Sequence, residues 1–75
     1  RESDLWRAII EELIKTRQEQ GISQRQLEEL SGVSQSVIAR TEKGYTSPQI
    51  STLLKVLGVL GKTLAVVPLE HTIEA

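Results

Sequence analysis

Residues 21–44 read GISQRQLEELSGVSQSVIARTEKG. Within this stretch Ser23 is followed by Gln26 at the spacing of a capping box, which opens one helix near Gln24. Gly32 stops that helix, Ser34 caps a second, and Gly44 stops it in turn. Two helices of about two turns each stand almost end to end. Neither is stable alone, because helix nucleation is costly and short helices are marginal in water. Such a pair is useful only for the way its members are set against each other and against the rest of the chain.

Before this stretch, residues 3–20 carry Leu5, Ile9 and Leu13 at four-residue spacing, with Trp6, Ile10 and Ile14 beside them. This broad apolar stripe predicts a helix over about 4–20, with Ser3 as N-cap and Gly21 as its stop. Trp6 on that stripe meets either a second chain or the same core. After the stretch, residues 45–48 read as a loop, since Pro48 keeps the residue before it extended. Apolar residues at Ile50, Leu53, Leu54, Val56, Leu57, Val59 and Leu60 then predict a helix over about 50–60 that is largely surrounded by protein. Gly58 within it costs about 1 kcal/mol against Ala, which points to something packed closely there. In the two short helices, over 24–31 and 35–43, the expected inward residues are Leu27 and Leu30, then Val33 and Ile38.

Residues 63–69, TLAVVPL, are rich in β-branched side chains and contain Pro68, the pattern of an edge strand. Nothing else in the sequence looks like a strand. Its simplest partner is therefore the same strand of a second copy across a two-fold axis; the other reading is a short extended tail. Leu64, Ala65, Val66, Val67 and Leu69, with Trp6 or Leu5, are the expected dimer contacts.

The sequence has 75 residues, no cysteine and one histidine, His71. That length predicts a single domain over 1–75, without disulfides, a structural zinc or any other metal or cofactor site. No credible nucleophile and base occur together, and no Gly-rich phosphate loop follows a strand, so the expectation is no enzyme. No run approaches the roughly 18 apolar residues of a membrane span, and the expected setting is cytoplasmic. Nine Lys and Arg stand against ten Asp and Glu. A general basic coat is absent, so any contact with a polyanion must be local.

Two short helices joined by a tight Gly-containing turn form a helix-turn-helix. Residues 21–44 resemble that of the Cro/cI-type repressors, the Xre family, whose pattern they match at Gly21, Ile22, Ser23, Gln24, Leu27, Gly32, Val33, Ser34, Ile38, Glu42 and Gly44. The resemblance extends over about residues 13–61. It departs at Glu28, where the family has Ala, and at Thr41, where it has an apolar residue. It implies an all-α, lambda-repressor-like fold of four helices, with the expected C-terminal strand added. It also implies double-stranded DNA as partner, read by helix 35–43 in the major groove.

By family position the base readers are Gln35, Ser36 and Arg40, with Val37 either against a thymine methyl or simply half-buried. Phosphate contacts are expected from Ser23, Gln24, Arg25, Ser34, Lys43, Tyr45, Thr46 and Ser47. Arg17 and Glu42 are expected to pair, tying the first helix to the end of the reading helix. A homodimer would read a palindromic operator with half-sites about 34 Å apart. The tail, L-G-K-T-L-A-V-V-P, is similar to that of HigA- and HipB-like antitoxins, which implies an autoregulating repressor with a toxin partner. A regulator without a toxin, or an interaction module that has lost DNA binding, are the other readings.

Overall fold

The computed structural model of the chain describes residues 2–45 and 47–68. Four helices follow in order: α1 (Glu2–Glu19), α2 (Gln24–Ser31), α3 (Gln35–Lys43) and α4 (Ile50–Val59). α2 packs against both α3 and α4, and α1 packs against α3. The shared core is built from Leu13, Leu27, Ile38, Val56, Leu57 and Leu60, with Ile22, Val33 and Leu64 packed on it. Every helix and the segment after α4 thus contribute at least one residue. Each fully buried aliphatic side chain stabilises by about 1.5–3 kcal/mol, so the short helices hold through this shared burial and not through propensity.

Each short helix is closed by its own sequence. Ser23 Oγ accepts from Gln26 N at 3.0 Å, while Ser23 N donates to Gln26 Oε1 at 2.8 Å. Both halves of the capping box are therefore made. At the turn, Gly32 has φ 80° and its N–H donates to Glu28 O at 2.8 Å. A Cβ at Gly32 would meet nothing within 4 Å, so the turn needs glycine for its left-handed backbone and not for space. Gly44 (φ 78°) ends α3 by donating to Thr41 O, while Tyr45 N donates to Arg40 O. That pair of bonds is a Schellman motif.

Several sequence expectations need correction. α1 begins at Glu2, so Ser3 lies within its first turn and is not the N-cap; a residue that suits a cap is also tolerated one position further in. Leu30 is 56% exposed. Successive helical residues turn by about 100°, and the covered arc of α2 runs through Leu27, Ser31, Gln24 and Glu28. Leu30 falls on the far side of Leu27 from that arc.

α4 is not surrounded. Leu53, Val56, Leu57 and the following Leu60 are buried, while Ile50, Leu54 and Val59 are exposed. Four helices of this length cover only one side of the last. Gly58 is exposed, with nothing within 4 Å of a Cβ built on it, so close packing within this copy does not explain it. Val33 is half-buried, whereas Thr41 is 4% exposed and joins the core side of α3.

Residues 62–68 form neither helix nor strand, and among the described residues no strand is available to pair with them. Leu64 docks on the core, whereas Val66 is fully exposed and Val67 is 66% exposed. Leu69, the last residue of the expected strand, lies outside the described residues. No described helix is long and apolar enough to cross a membrane.

Candidate nucleic-acid interface

The direction in which α3 faces follows from its two buried residues. Ile38 is 2% exposed and Thr41 4%. The opposite side of a helix at about 100° per residue carries Ser36, Arg40 and Lys43, and all three are exposed, as is Gln35 in the first turn. Ser34 Oγ accepts from Val37 N at 3.3 Å and lies 3.4 Å from Ser36 Oγ. Cap and first turn are therefore one linked unit. Val37 is half-buried and lines a void of about 10 Å³ with Pro48 and Thr52, too small for more than one water. Part of its side chain is thus committed to the α3–α4 junction.

α3 is fixed relative to its neighbours by Glu42. Arg17 Nε donates to Glu42 Oε2 at 2.7 Å, and Arg17 Nη2 donates to Glu42 Oε1 at 2.9 Å. Gln24 Nε2 also donates to Glu42 Oε1, at 2.9 Å. The third guanidinium nitrogen, Nη1, donates to Ile22 O at 2.8 Å. The side chains of Arg17 and Glu42 are only 11% and 7% exposed. One carboxylate therefore joins α1, α2 and α3 through a bidentate charged fork and an amide, a geometry that specifies orientation as well as attraction. Among the described residues no buried side-chain nitrogen or oxygen lacks a partner.

The inward bond of Gln24 was not legible in the sequence, where Gln24 reads only as a phosphate contact. Its amide has two hydrogens, so one remains for an outer partner. The backbone N–H groups of Gln24 and Arg25 precede the first intrahelical bond of α2 and have no partner within the helix. Ser23 keeps its hydroxyl hydrogen for donation, since its oxygen is the group used in the cap. Arg25 and Ser47 are exposed. Tyr45 is 76% exposed, and Lys43 Nζ stands 5.9 Å from the centre of its ring. Thr46 lies outside the described residues. Exposed groups from the starts of α2 and α3 and from the α3–α4 loop thus accompany the outer side of α3.

Trp6 does not share a cleft with Leu64 of the described tail. It lines a cleft with the end of α3, at Glu42, Lys43 and Gly44. Leu5, one residue and about 100° away, lines a separate cleft with Ala8, Ile9, Leu57 and Leu64. At the rim of that second cleft Lys62 Nζ pairs with Glu12 at 3.0 Å. The hydrogen bond from Lys62, reinforced by its charge, holds the Glu12 carboxyl below its ordinary range. Gln20 Nε2 donates to Leu60 O at 2.8 Å, so both partners tie α1 to the end of α4. Sequence reading found neither bond, because both join residues 40 or more positions apart.

A helix-turn-helix family model matches residues 13–67. The chain belongs to the Xre-type helix-turn-helix family. It is 65% identical over 70 residues to an uncharacterized HTH-type transcriptional regulator of Haemophilus influenzae, covering 93% of this chain and 71% of that protein. Over 53 residues it is 49% identical to the HTH-type transcriptional regulator PuuR of Escherichia coli, covering 71% of this chain but 29% of PuuR. A toxin-antitoxin module from Streptococcus pneumoniae superimposes with a TM-score of 0.78 at 69% identity, covering 91% of this chain and 76% of that one. In this helix-turn-helix, α2 and α3 are the paired helices and Gly32 is the turn.

Proposed function

We propose that the chain is a sequence-specific DNA-binding repressor domain that reads a palindromic operator as a homodimer. The observation that carries this reading is the outward face of α3. Gln35, Ser36 and Arg40 are exposed together on a helix locked in place by Arg17, Gln24 and Glu42. Arg40 suits the N7 and O6 of guanine, and Gln35 suits adenine; each bidentate contact discriminates by about 1–3 kcal/mol. Val37 adds at most a flank contact to a thymine methyl. Phosphates are held by the first-turn N–H groups of α2 with Ser23, Gln24 and Arg25, and by Ser34, Lys43, Tyr45, Thr46 and Ser47.

The second copy pairs through residues 64–69. Val66 and Val67 project from this copy without cover, and Leu64, two residues before Val66, lines the same cleft as Leu5 and Ile9. That shared cleft favours Leu5 over Trp6 as the helix contact. The reading extends to an autoregulating antitoxin whose partner is a toxin, supported by the likeness to the pneumococcal module. A net charge of −1 favours the second reading, an interaction module without DNA binding, since phosphate contacts normally dominate such affinity.

Selection of bound DNA from a random-sequence pool at low salt separates the two. Enrichment of a palindrome supports the dimeric repressor. An unenriched pool, under the conditions where phosphate contacts are strongest, refutes it and leaves the interaction module.

A further inference from the structure

Apart from Lys43, the DNA face and the dimer face leave unused the cleft between the first half of α1 and the end of α3. It encloses about 610 Å³. Trp6, Ile10 and Ile14 make its floor, and Arg7, Glu11 and Lys43 stand at its rim. Ile10 is buried and belongs to the fold, but Trp6 and Ile14 are only half-buried.

The charge of the cleft is set by which groups are already paired. Glu42 lines it too, yet its carboxylate is neutralised by Arg17 and takes a further bond from Gln24. Among the described residues Arg7, Glu11 and Lys43 enter no ion pair. Two cations and one carboxylate therefore remain over an apolar floor. Trp, Tyr and Arg dominate the energetics of protein interfaces, and here Trp6 and Arg7 adjoin Tyr45 through Lys43.

We propose that this cleft is the docking site for an acidic segment of a partner protein that places a bulky apolar side chain on Trp6. Its carboxylates face Arg7 and Lys43. A DNA backbone would satisfy the cations but would leave the indole and Ile14 uncovered, so the apolar floor favours a protein segment. Lys43 also belongs to the phosphate set, and a segment seated here meets DNA at that residue.

Trp6 is the sole tryptophan, so its emission reports occupancy directly. The probe is a random 12-residue peptide library displayed on phage and panned against the full chain. Enriched peptides are expected to carry Asp or Glu beside Leu, Phe or Trp. A synthetic copy with Phe or Leu as its apolar residue should shift Trp6 emission. Arg7→Glu and Lys43→Glu should each weaken that binding about tenfold, as charge reversal at a partly covered rim implies. Lys15→Glu, on α1 outside the cleft, should not. All three positions are exposed, and unchanged circular dichroism verifies folding. Enriched peptides without acidic residues, or binding indifferent to Arg7→Glu, would overturn the proposal. So would Trp6 emission that answers the selected operator DNA and no peptide, which would assign the cleft to phosphate.

Discussion

Replacing Glu42 with Ala removes the acceptor of three hydrogen bonds at once. Arg17 then keeps only its bond to Ile22 O, as a guanidinium whose side chain is 11% exposed. Breaking a buried pair by deleting one partner costs about 3–5 kcal/mol, because the remaining charge is left uncompensated. A domain of this size has roughly 4–11 kcal/mol in total at ~0.05–0.15 kcal/mol per residue. The loss is therefore a large fraction of the fold's stability. At about 4–8 °C per kcal/mol, a 3 kcal/mol loss lowers Tm by roughly 12–24 °C.

Thermal unfolding by circular dichroism at fixed protomer concentration measures this, the concentration being held because dimerisation would shift Tm. The paired variant Arg17→Met with Glu42→Leu should recover most of the loss, since an apolar replacement of both partners is often neutral. A Glu42→Ala cost under about 1 kcal/mol, the range of exposed pairs, would refute the claim that this carboxylate fixes α3.

Three further outcomes follow from particular contacts. Gly32→Ala, forced into a left-handed conformation, should cost about 1–2 kcal/mol, read as a shift in urea midpoint; an unchanged midpoint would mean that the turn accepts a side chain. Glu12 is held below its ordinary range by Lys62, so its contribution is complete above the unfolded-state value and is lost as pH falls through the lowered folded value. Side-chain NMR titration of Lys62→Ala should find Glu12 titrating at higher pH than in the wild type, and an identical titration would show the pair to be idle in solution. Val66→Asp should convert the proposed homodimer to monomer in sedimentation while leaving the helical signal intact; a persistent dimer would place the two-fold contact elsewhere.

The parts of the fold that were legible in the sequence are those written in local chemistry. Ser23 with Gln26, Ser34, Gly32 and Gly44 fix the bounds of α2 and α3 through bonds no more than five residues long. Leu27 and Ile38, each expected to face inward, are both buried. Leu30 was misread because an apolar residue three positions from Leu27 can fall on either side of the covered arc, and α3 and α4 decide which. The exposure of Ile50, Leu54 and Gly58 was hidden for a related reason: hydropathy reports what a side chain prefers, not how many neighbours are present to cover it. In the site, the outward positions of Ser36 and Arg40 follow from helical period once Ile38 is buried, whereas Gln35, about 60° from Ile38, is exposed by its place in the first turn. The bond from Gln24 to Glu42 has no local signal, since it forms only when α2 and α3 have already packed.

The central claim is that the outer face of α3 reads bases, with Arg40 on a guanine. The most direct test compares wild type and Arg40→Ala on the selected operator and on operators changed at one base pair of each half-site. Arg40→Ala should weaken binding by about 1–3 kcal/mol per half-site and abolish discrimination at one base position only. Weakening that is uniform across all operators would contradict it, and would make Arg40 a phosphate contact on a helix that does not read sequence.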